Sequence, residues 1–289
     1  MKITELLKKD QCSVSFEVFP PKADTAFDSV KSATEKIAQL KPRFMSVTYG
    51  AGGGTGHYTL EIAKHIKEEF HVPVLAHMTC VCATRETVQK RIGEIRTAGI
   101  CNVMALRGDI PANMAENPVR EYAHAADLIR ELRNEAGDVC IGGACYPETH
   151  PESADSREDI LHLAQKVEAG CDFLTTQMFF DNAILYSFLY KVREAGIKVP
   201  VIPGIMPITN IKQLEKAVKL SGSFIPRRFL SLVDRFGSSP EAMKQAGIAY
   251  ATDQIIDLYA NGIRNVHVYT MNNADVARKI MDNLSAILG

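Results

Sequence analysis

Tryptophan is absent from the 289 residues, so near-ultraviolet absorbance is weak and any strong visible colour belongs to a bound group. Neither charge sign is in excess: 33 Lys and Arg stand against 34 Asp and Glu, which removes the basic field that nucleic-acid binding needs. No run approaches the roughly 18 uncharged apolar residues of a spanning helix, and residues 1–11 (MKITELLKKDQ) are too polar for a signal peptide. A cytoplasmic protein with no membrane partner is expected. The seven cysteines include no CxxC pair and no disulfide-framework spacing, as expected where thiols stay reduced. A GxGxxG turn and a P-loop GK[ST] are also missing, which counts against a doubly wound nucleotide-binding sheet. The Gly-rich stretch 50–56 (GAGGGTG) fits neither spacing and is expected to be a flexible loop over the mouth of the fold.

What is present is a recurring unit. Eight apolar, β-branched-rich runs, at 13–19, 43–49, 73–79, 100–107, 139–146, 171–177, 199–205 and 265–270, each give way to a segment of helical period. The helix 156–169 shows the pattern best, with a capping box expected at Ser156 and Asp159 and a stripe of Ile160, Leu163, Ala164 and Val167. Helices end in Gly99, Gly170, Gly196 and Gly262, each just before the next strand. Eight such units predict an α/β fold, a (β/α)8 TIM barrel forming a single domain over 1–289. Extra helices, at about 226–234 and 241–260, are expected between strands seven and eight.

Active sites of such barrels lie at the C-terminal strand ends. The polar residues there are Glu17, Thr48, His77, Arg107 with Asp109, Tyr146 with His150, Gln177, and Tyr269 with Asn272. Strand seven instead runs into the rigid Pro203-Gly204-Ile205-Met206-Pro207. Glu17 stands out: flanked by Phe16, Val18 and Phe19, it is costly to bury without a purpose. Alternation puts Ser15, Glu17 and Phe19 on one face, the barrel interior, where desolvation would raise the Glu17 pKa and suit it to general acid catalysis. A buried ion pair with a barrel Lys or Arg is the competing reading. The turn Arg107-Gly108-Asp109 could hold a phosphate or a heterocycle, or simply satisfy itself. His77, Cys80 and Cys82 lack a fourth ligand of convincing spacing, so no metal is expected. Residues 146–152 (YPETHPE) resemble a rigid ligand-contacting loop. Cys101, Cys140, Cys145 and Cys171 are expected as small core residues in strands.

Seven segments in order, SFEVFPPK (15–22), SVTYGAGG (46–53), ALRGDIP (105–111), YPETHPE (146–152), TQMFFD (176–181), PGIMPI (203–208) and HVYTMN (267–272), resemble the methylenetetrahydrofolate reductase family. The resemblance implies a (β/α)8 flavoprotein in which NAD(P)H or another donor reduces FAD and leaves. 5,10-Methylenetetrahydrofolate then enters and is reduced to 5-methyltetrahydrofolate, supplying methyl groups for methionine synthesis or one-carbon metabolism. It implies Glu17 as the acid that protonates the departing arylamine nitrogen, and Asp109 as the carboxylate that tunes the flavin and helps hold the pterin. FAD contacts carry over to Thr48, Tyr49, Ala51, His77, Arg107, Gly108, Asp109, Ala125, Tyr146, His150, Ser153, Asp159, His162 and Lys166, with Arg107 and Lys166 balancing pyrophosphate charge. Substrate contacts carry over to Glu17, Asp109, Gln177, Gln213, Tyr269 and Asn273. Asn273 stands where relatives commonly have an arginine thought to meet the substrate, which puts recognition of the folate's acidic tail in question. The resemblance further implies a homo-oligomer. Two other readings are a flavin-free lyase using His77 and the cysteines, and a pterin-binding barrel subunit that depends on an electron-delivering protein partner.

Overall fold

The computed structural model describes residues 1–21, 24–49, 56–110 and 121–289. The Gly-rich loop expectation, Ala51 with it, therefore lies outside the described residues. Nine parallel strand segments form one sheet: β1 Ser13–Val18, β2 Met45–Val47, β3 Val74–Thr79, β4 Asn102–Leu106, β5 Cys140–Cys145, β6 Phe173–Thr176, β7 Val201–Ile202, β8 Gly204–Ile205 and β9 Asn265–Tyr269, in the order β7-β6-β5-β4-β3-β2-β1-β9-β8. Because β7 and β8 are halves of one chain run, this order brings the sheet round on itself as a nearly closed (β/α)8 barrel.

Nine segments stand where eight runs are read because run seven divides at Pro203. Val201 and Ile202 pair with β6, whereas Gly204 and Ile205 pair with β9. Pro203 has no N–H for the ladder, and its carbonyl accepts from His267 N at 2.8 Å. Gly204 N turns instead to Thr176 Oγ1 at 2.9 Å. A Cβ on Gly204 would lie 2.4 Å from both Thr176 O and Tyr269 Oη, so only glycine lets the split run approach both neighbours.

Alternation along the strands sorts the core into two shells. Val14, Phe16, Val18, Met45, Val47, Val74, Ala76 and Val103 face outward under the helices. Phe44, Leu75, Met104, Cys140, Phe173 and Ile202 fill the lower barrel interior, closed by Ile3 and Leu6 of α1 (Ile3–Leu6). Ile3 N donates to buried Asn102 Oδ1 at 2.8 Å, which fixes this plug. Above that layer the interior turns polar.

The covering helices are α2 Phe27–Ala38, α3 Gly56–Glu69, α4 Arg85–Thr97, α5 Ala125–Glu135, α6 Ser156–Glu168, α7 Asn182–Glu194 and, after β9, α11 Ala274–Leu288. Gly99, Gly170, Gly196 and Gly262 all adopt positive φ, as their places after helix ends require. The cap of α6 differs from expectation. Asp155, not Ser156, is the N-cap, its carboxylate accepting from Arg157 N at 2.8 Å and Glu158 N at 2.9 Å. This leaves Asp159 free to accept from His150 N at 3.1 Å, tying the helix to the loop above β5.

Between β8 and β9 come α8 Ile211–Ser221, α9 Arg227–Phe236 and α10 Pro240–Ala260. They share a second core of Phe180, Met206, Ile208, Leu214, Phe229, Met243 and Tyr250. Cys140, Cys145 and Cys171 are buried as expected, but Cys101 is half-buried, and Cys101 and Cys171 sit just before their strands.

Candidate active site

A cavity of about 920 Å³ opens at the C-terminal strand ends. Of the residues singled out from sequence, Glu17, Thr48, Tyr49, His77, Arg107, Gly108, Asp109, Ala125, Tyr146, His150, Ser153, Asp159, His162, Lys166, Gln177, Gln213 and Tyr269 line it. Asn273 does not. Its Oδ1 caps α11 by accepting from Val276 N at 3.2 Å, because an Asn at that helix start finds its nearest unsatisfied donor in the first turn. Asn272 is likewise occupied with the backbone: it accepts from Phe19 N and donates to Phe19 O, both at 2.9 Å, clamping the end of β1 to the end of β9.

Glu17 projects from β1 into the floor of the cavity, its side chain 21% exposed. Desolvation lifts its pKa from 4.5 to about 8, only partly opposed by Ser46 Oγ at 3.5 Å. No Lys or Arg among the described residues pairs with it. The nearest basic group is His77 Nε2 at 3.6 Å, and burial lowers that imidazole to about 4. Near neutral pH the pair is therefore a carboxylic acid beside a neutral imidazole, and the ion-pair reading of Glu17 does not hold. His77 Nε2 and Thr175 Oγ1 are buried without a hydrogen-bond partner among the described residues. Such groups are costly unless a ligand or water meets them.

Besides Thr175, two residues of this floor, His267 and Ser46, were not singled out. His267 on β9 is fully enclosed, with Nδ1 2.7 Å from Ser15 Oγ and Nε2 2.9 Å from Ser46 Oγ, and burial lowers its pKa to about 3. Ser46 lies two residues before Thr48 and His267 two before Tyr269, so period-two counting back from each strand end finds them. Tyr269 Oη donates to Thr176 O at 2.5 Å, and burial beside Glu17 pushes this phenol well above its ordinary range.

The wall on the β4–β6 side carries the cations. Arg107 is held bidentately by Glu152, another residue the sequence reading passed over, with one N–O distance of 2.6 Å. Lys166 Nζ donates to Ala144 O at 2.8 Å, and burial lowers its pKa. Tyr146 packs edge-on to His150 at 4.6 Å, its phenol raised by burial and by Asp109. Arg91, from α4, lies 4.9 Å over the Tyr49 ring. Past the strand-seven run, next to β6, Gln213 folds back onto its own loop, accepting from Thr209 N at 2.9 Å and donating to Pro207 O at 3.3 Å. No group of three or more His, Cys, Asp or Glu fit to hold a metal occurs among the described residues.

The methylenetetrahydrofolate reductase family model matches residues 2–285. A 5,10-methylenetetrahydrofolate reductase of Pectobacterium carotovorum subsp. carotovorum is 35% identical over 272 residues, 94% of this chain and 90% of that one. The Arabidopsis thaliana methylenetetrahydrofolate reductase (NADH) 1 is 34% identical over 99% of this chain, which spans 50% of its length. A solved Clostridium thermocellum protein that binds two copies of 5-methyl-5,6,7,8-tetrahydrofolic acid shares the fold, with a TM-score of 0.71 at 15% identity over 99% of this chain and 100% of that one. A family match across almost the whole chain, joined to a barrel whose polar residues converge on one mouth, shows that this chain belongs to the methylenetetrahydrofolate reductase family.

Proposed function

We propose that this chain reduces 5,10-methylenetetrahydrofolate to 5-methyltetrahydrofolate, with FAD held in the barrel mouth and a reduced nicotinamide as donor. The observation that carries the reading is a carboxyl group kept protonated to about pH 8 on the floor of that mouth. Opening the folate's five-membered ring needs a proton on the leaving arylamine nitrogen while the methylene carbon accepts a hydride. A neutral Glu17 is poised to give that proton near neutral pH, and its neighbour His77, itself neutral, does not compete by drawing the proton into an ion pair.

The donor set suits a flavin nucleotide. The cavity volume is at the upper end of small-ligand sites, and its unpaired His77 Nε2 and Thr175 Oγ1 await polar partners. Arg107, Lys166 and His150 would face the phosphates, with Glu152 giving up Arg107, while Thr48, Tyr49 and Tyr146 would line the ring system. FAD, when bound there, supplies the hydride. Asp109 at the β4 turn would set a negative charge beside the reacting ring, and Gln177 and Tyr269 would orient whichever substrate is present. Nicotinamide and folate would occupy this mouth in turn.

The test is an anaerobic visible spectrum of the FAD-loaded protein, taken before NADH, after it, and after methylenetetrahydrofolate. Bleaching followed by recovery is expected. A flavin that ignores NADH but recovers with folate after chemical reduction would assign the electrons to a protein partner instead. Failure of folate to reoxidise the reduced protein would overturn the proposed reaction.

A further inference from the structure

We propose that His267 is a positioning residue: locked as its Nδ1–H tautomer, it takes the Ser46 proton, so that Glu17 faces a hydroxyl oxygen instead of a donor and is kept as the acid. This rests on the reaction proposed above and adds a residue to its proton-delivering side.

Alternation puts Ser15 and Glu17 of β1, Ser46 of β2 and His267 of β9 in the barrel interior, and the register sets Ser15 opposite His267 and Glu17 opposite Ser46. Ser15, Ser46 and His267 are all at least 98% buried, so their polar atoms have to satisfy one another. The imidazole stacks on Phe44 with centroids 5.4 Å apart, which holds its plane between the two serines.

Each hydroxyl has one proton to give, and a neutral imidazole has one donor and one acceptor. Ser15 Oγ lies 3.0 Å from Val266 O and 2.7 Å from His267 Nδ1. A carbonyl only accepts, so Ser15 donates to Val266 O and accepts from Nδ1–H. Nε2 is then the acceptor, and Ser46 Oγ at 2.9 Å gives it its proton. Three bonds of 2.7, 2.9 and 3.0 Å form together in this arrangement. The other tautomer sends the Ser15 proton to Nδ1 and abandons Val266 O; it exchanges that 3.0 Å bond for a 3.5 Å contact from Ser46 to Glu17 Oε2. Bond length favours the first.

With its proton spent on His267, Ser46 turns a lone pair toward Glu17, which disfavours a carboxylate and accepts a carboxylic acid. The titratable groups packed around this corner are His77 of β3 and His267 and Tyr269 of β9, while β2 contributes only Ser46. Burial keeps both imidazoles and the phenol uncharged near neutral pH. The direction of one hydroxyl therefore decides what Glu17 meets.

Long-range proton–nitrogen NMR of the FAD-loaded protein, labelled at its histidine nitrogens, reads the tautomer, with His267 assigned by its through-space contact to Phe44. A neutral ring protonated on Nδ1 is expected; a proton on Nε2 would overturn the proposal. Carboxyl-carbon NMR then follows Glu17, assigned by its absence from Glu17→Gln. His267→Phe keeps a ring on Phe44 but frees the Ser46 proton, and should lower the Glu17 pKa by about one to two pH units, the size of one hydrogen bond to a charged group. Ser46→Ala alone should leave that pKa nearly unchanged, and adding Ser46→Ala to His267→Phe should restore it, which lost packing would not do. No drop in His267→Phe, or a rise in Ser46→Ala alone, would overturn the proposal. The upper pH limb of folate reduction should move with the Glu17 pKa in each variant, and flavin reduction by NADH should not. Both NMR readings stand apart from turnover, so an unmodified protein with the Nδ1–H tautomer that methylenetetrahydrofolate fails to reoxidise would overturn the reaction and leave the hydrogen-bond arrangement standing.

Discussion

Replacing Glu17 by Gln should stabilise the protein while removing its acid, and the gain should grow with pH. Burial raises the folded-state pKa from 4.5 to about 8. The cost of ionisation is therefore absent below about pH 4.5, rises through the interval, and is complete above about pH 8. At about 1.4 kcal/mol per tenfold change in protonation, the wild type carries a penalty of under about 1 kcal/mol at pH 5, about 3 at pH 7 and about 5 at pH 9. The carboxyl keeps some contact with cavity water, so these are upper values. Gln has no charge to desolvate, and Ser46 Oγ and His77 Nε2 remain beside it to accept from its amide. Urea unfolding of both ligand-free proteins at pH 5, 7 and 9 measures the difference, in which all other titrating groups largely cancel. A stability gap that stays constant across this range would refute the buried neutral acid. The same titration has a kinetic signature. The protonated fraction falls from about 90% at pH 7 to about 10% at pH 9, so folate reduction should fall about tenfold per pH unit above 8. Flavin reduction by NADH should not follow that curve, and Glu17→Gln should spare it while abolishing folate reduction.

Other outcomes follow from single contacts. Gly247→Ala would put a Cβ 1.7 Å from Ile208 O, a backbone atom with no freedom to yield, so α10 must shift off the strand-seven loop. A loss of at least about 2 kcal/mol is expected in thermal or urea unfolding, and an unchanged midpoint would contradict that packing. Glu152→Gln should free Arg107 for the cofactor and tighten FAD binding several-fold in a fluorescence-quenching titration. Unaltered affinity would show that Arg107 does not meet the phosphates. Asp109→Asn should raise the flavin midpoint potential, since removing a nearby anion favours the reduced, more negative ring; an unshifted potential in a dye-equilibration titration would remove Asp109 from the flavin's surroundings.

Sequence periodicity sufficed for the barrel because each βα unit carries its own instructions: an apolar run, a helical stripe, and a glycine after the helix such as Gly170 or Gly196 whose positive φ the turn demands. It sufficed for Glu17, Thr48, His77, Arg107, Asp109, Tyr146, His150, Gln177 and Tyr269 because a parallel barrel places every C-terminal strand end on one rim, whereas Ala125, Ser153, Asp159, His162, Lys166 and Gln213 were named only through the family resemblance. Glu17 was legible for a related reason: a carboxylate in a run of buried apolar residues announces its cost locally. Tertiary structure alone decided what depends on partners distant in sequence. Strand seven splits at Pro203 because its two halves find different partners far along the chain: Gly204 N donates to Thr176 Oγ1, and the Pro203 carbonyl accepts from His267 N. Arg107 meets Glu152, His267 bridges Ser15 and Ser46, and Asn273 turns from the cavity to its helix, because hydrogen bonds go to the nearest satisfiable group in space. The pKa of Glu17 belongs to this second class as well. The sequence names the carboxyl, but only closure of the barrel around it removes the water that would keep it ionised.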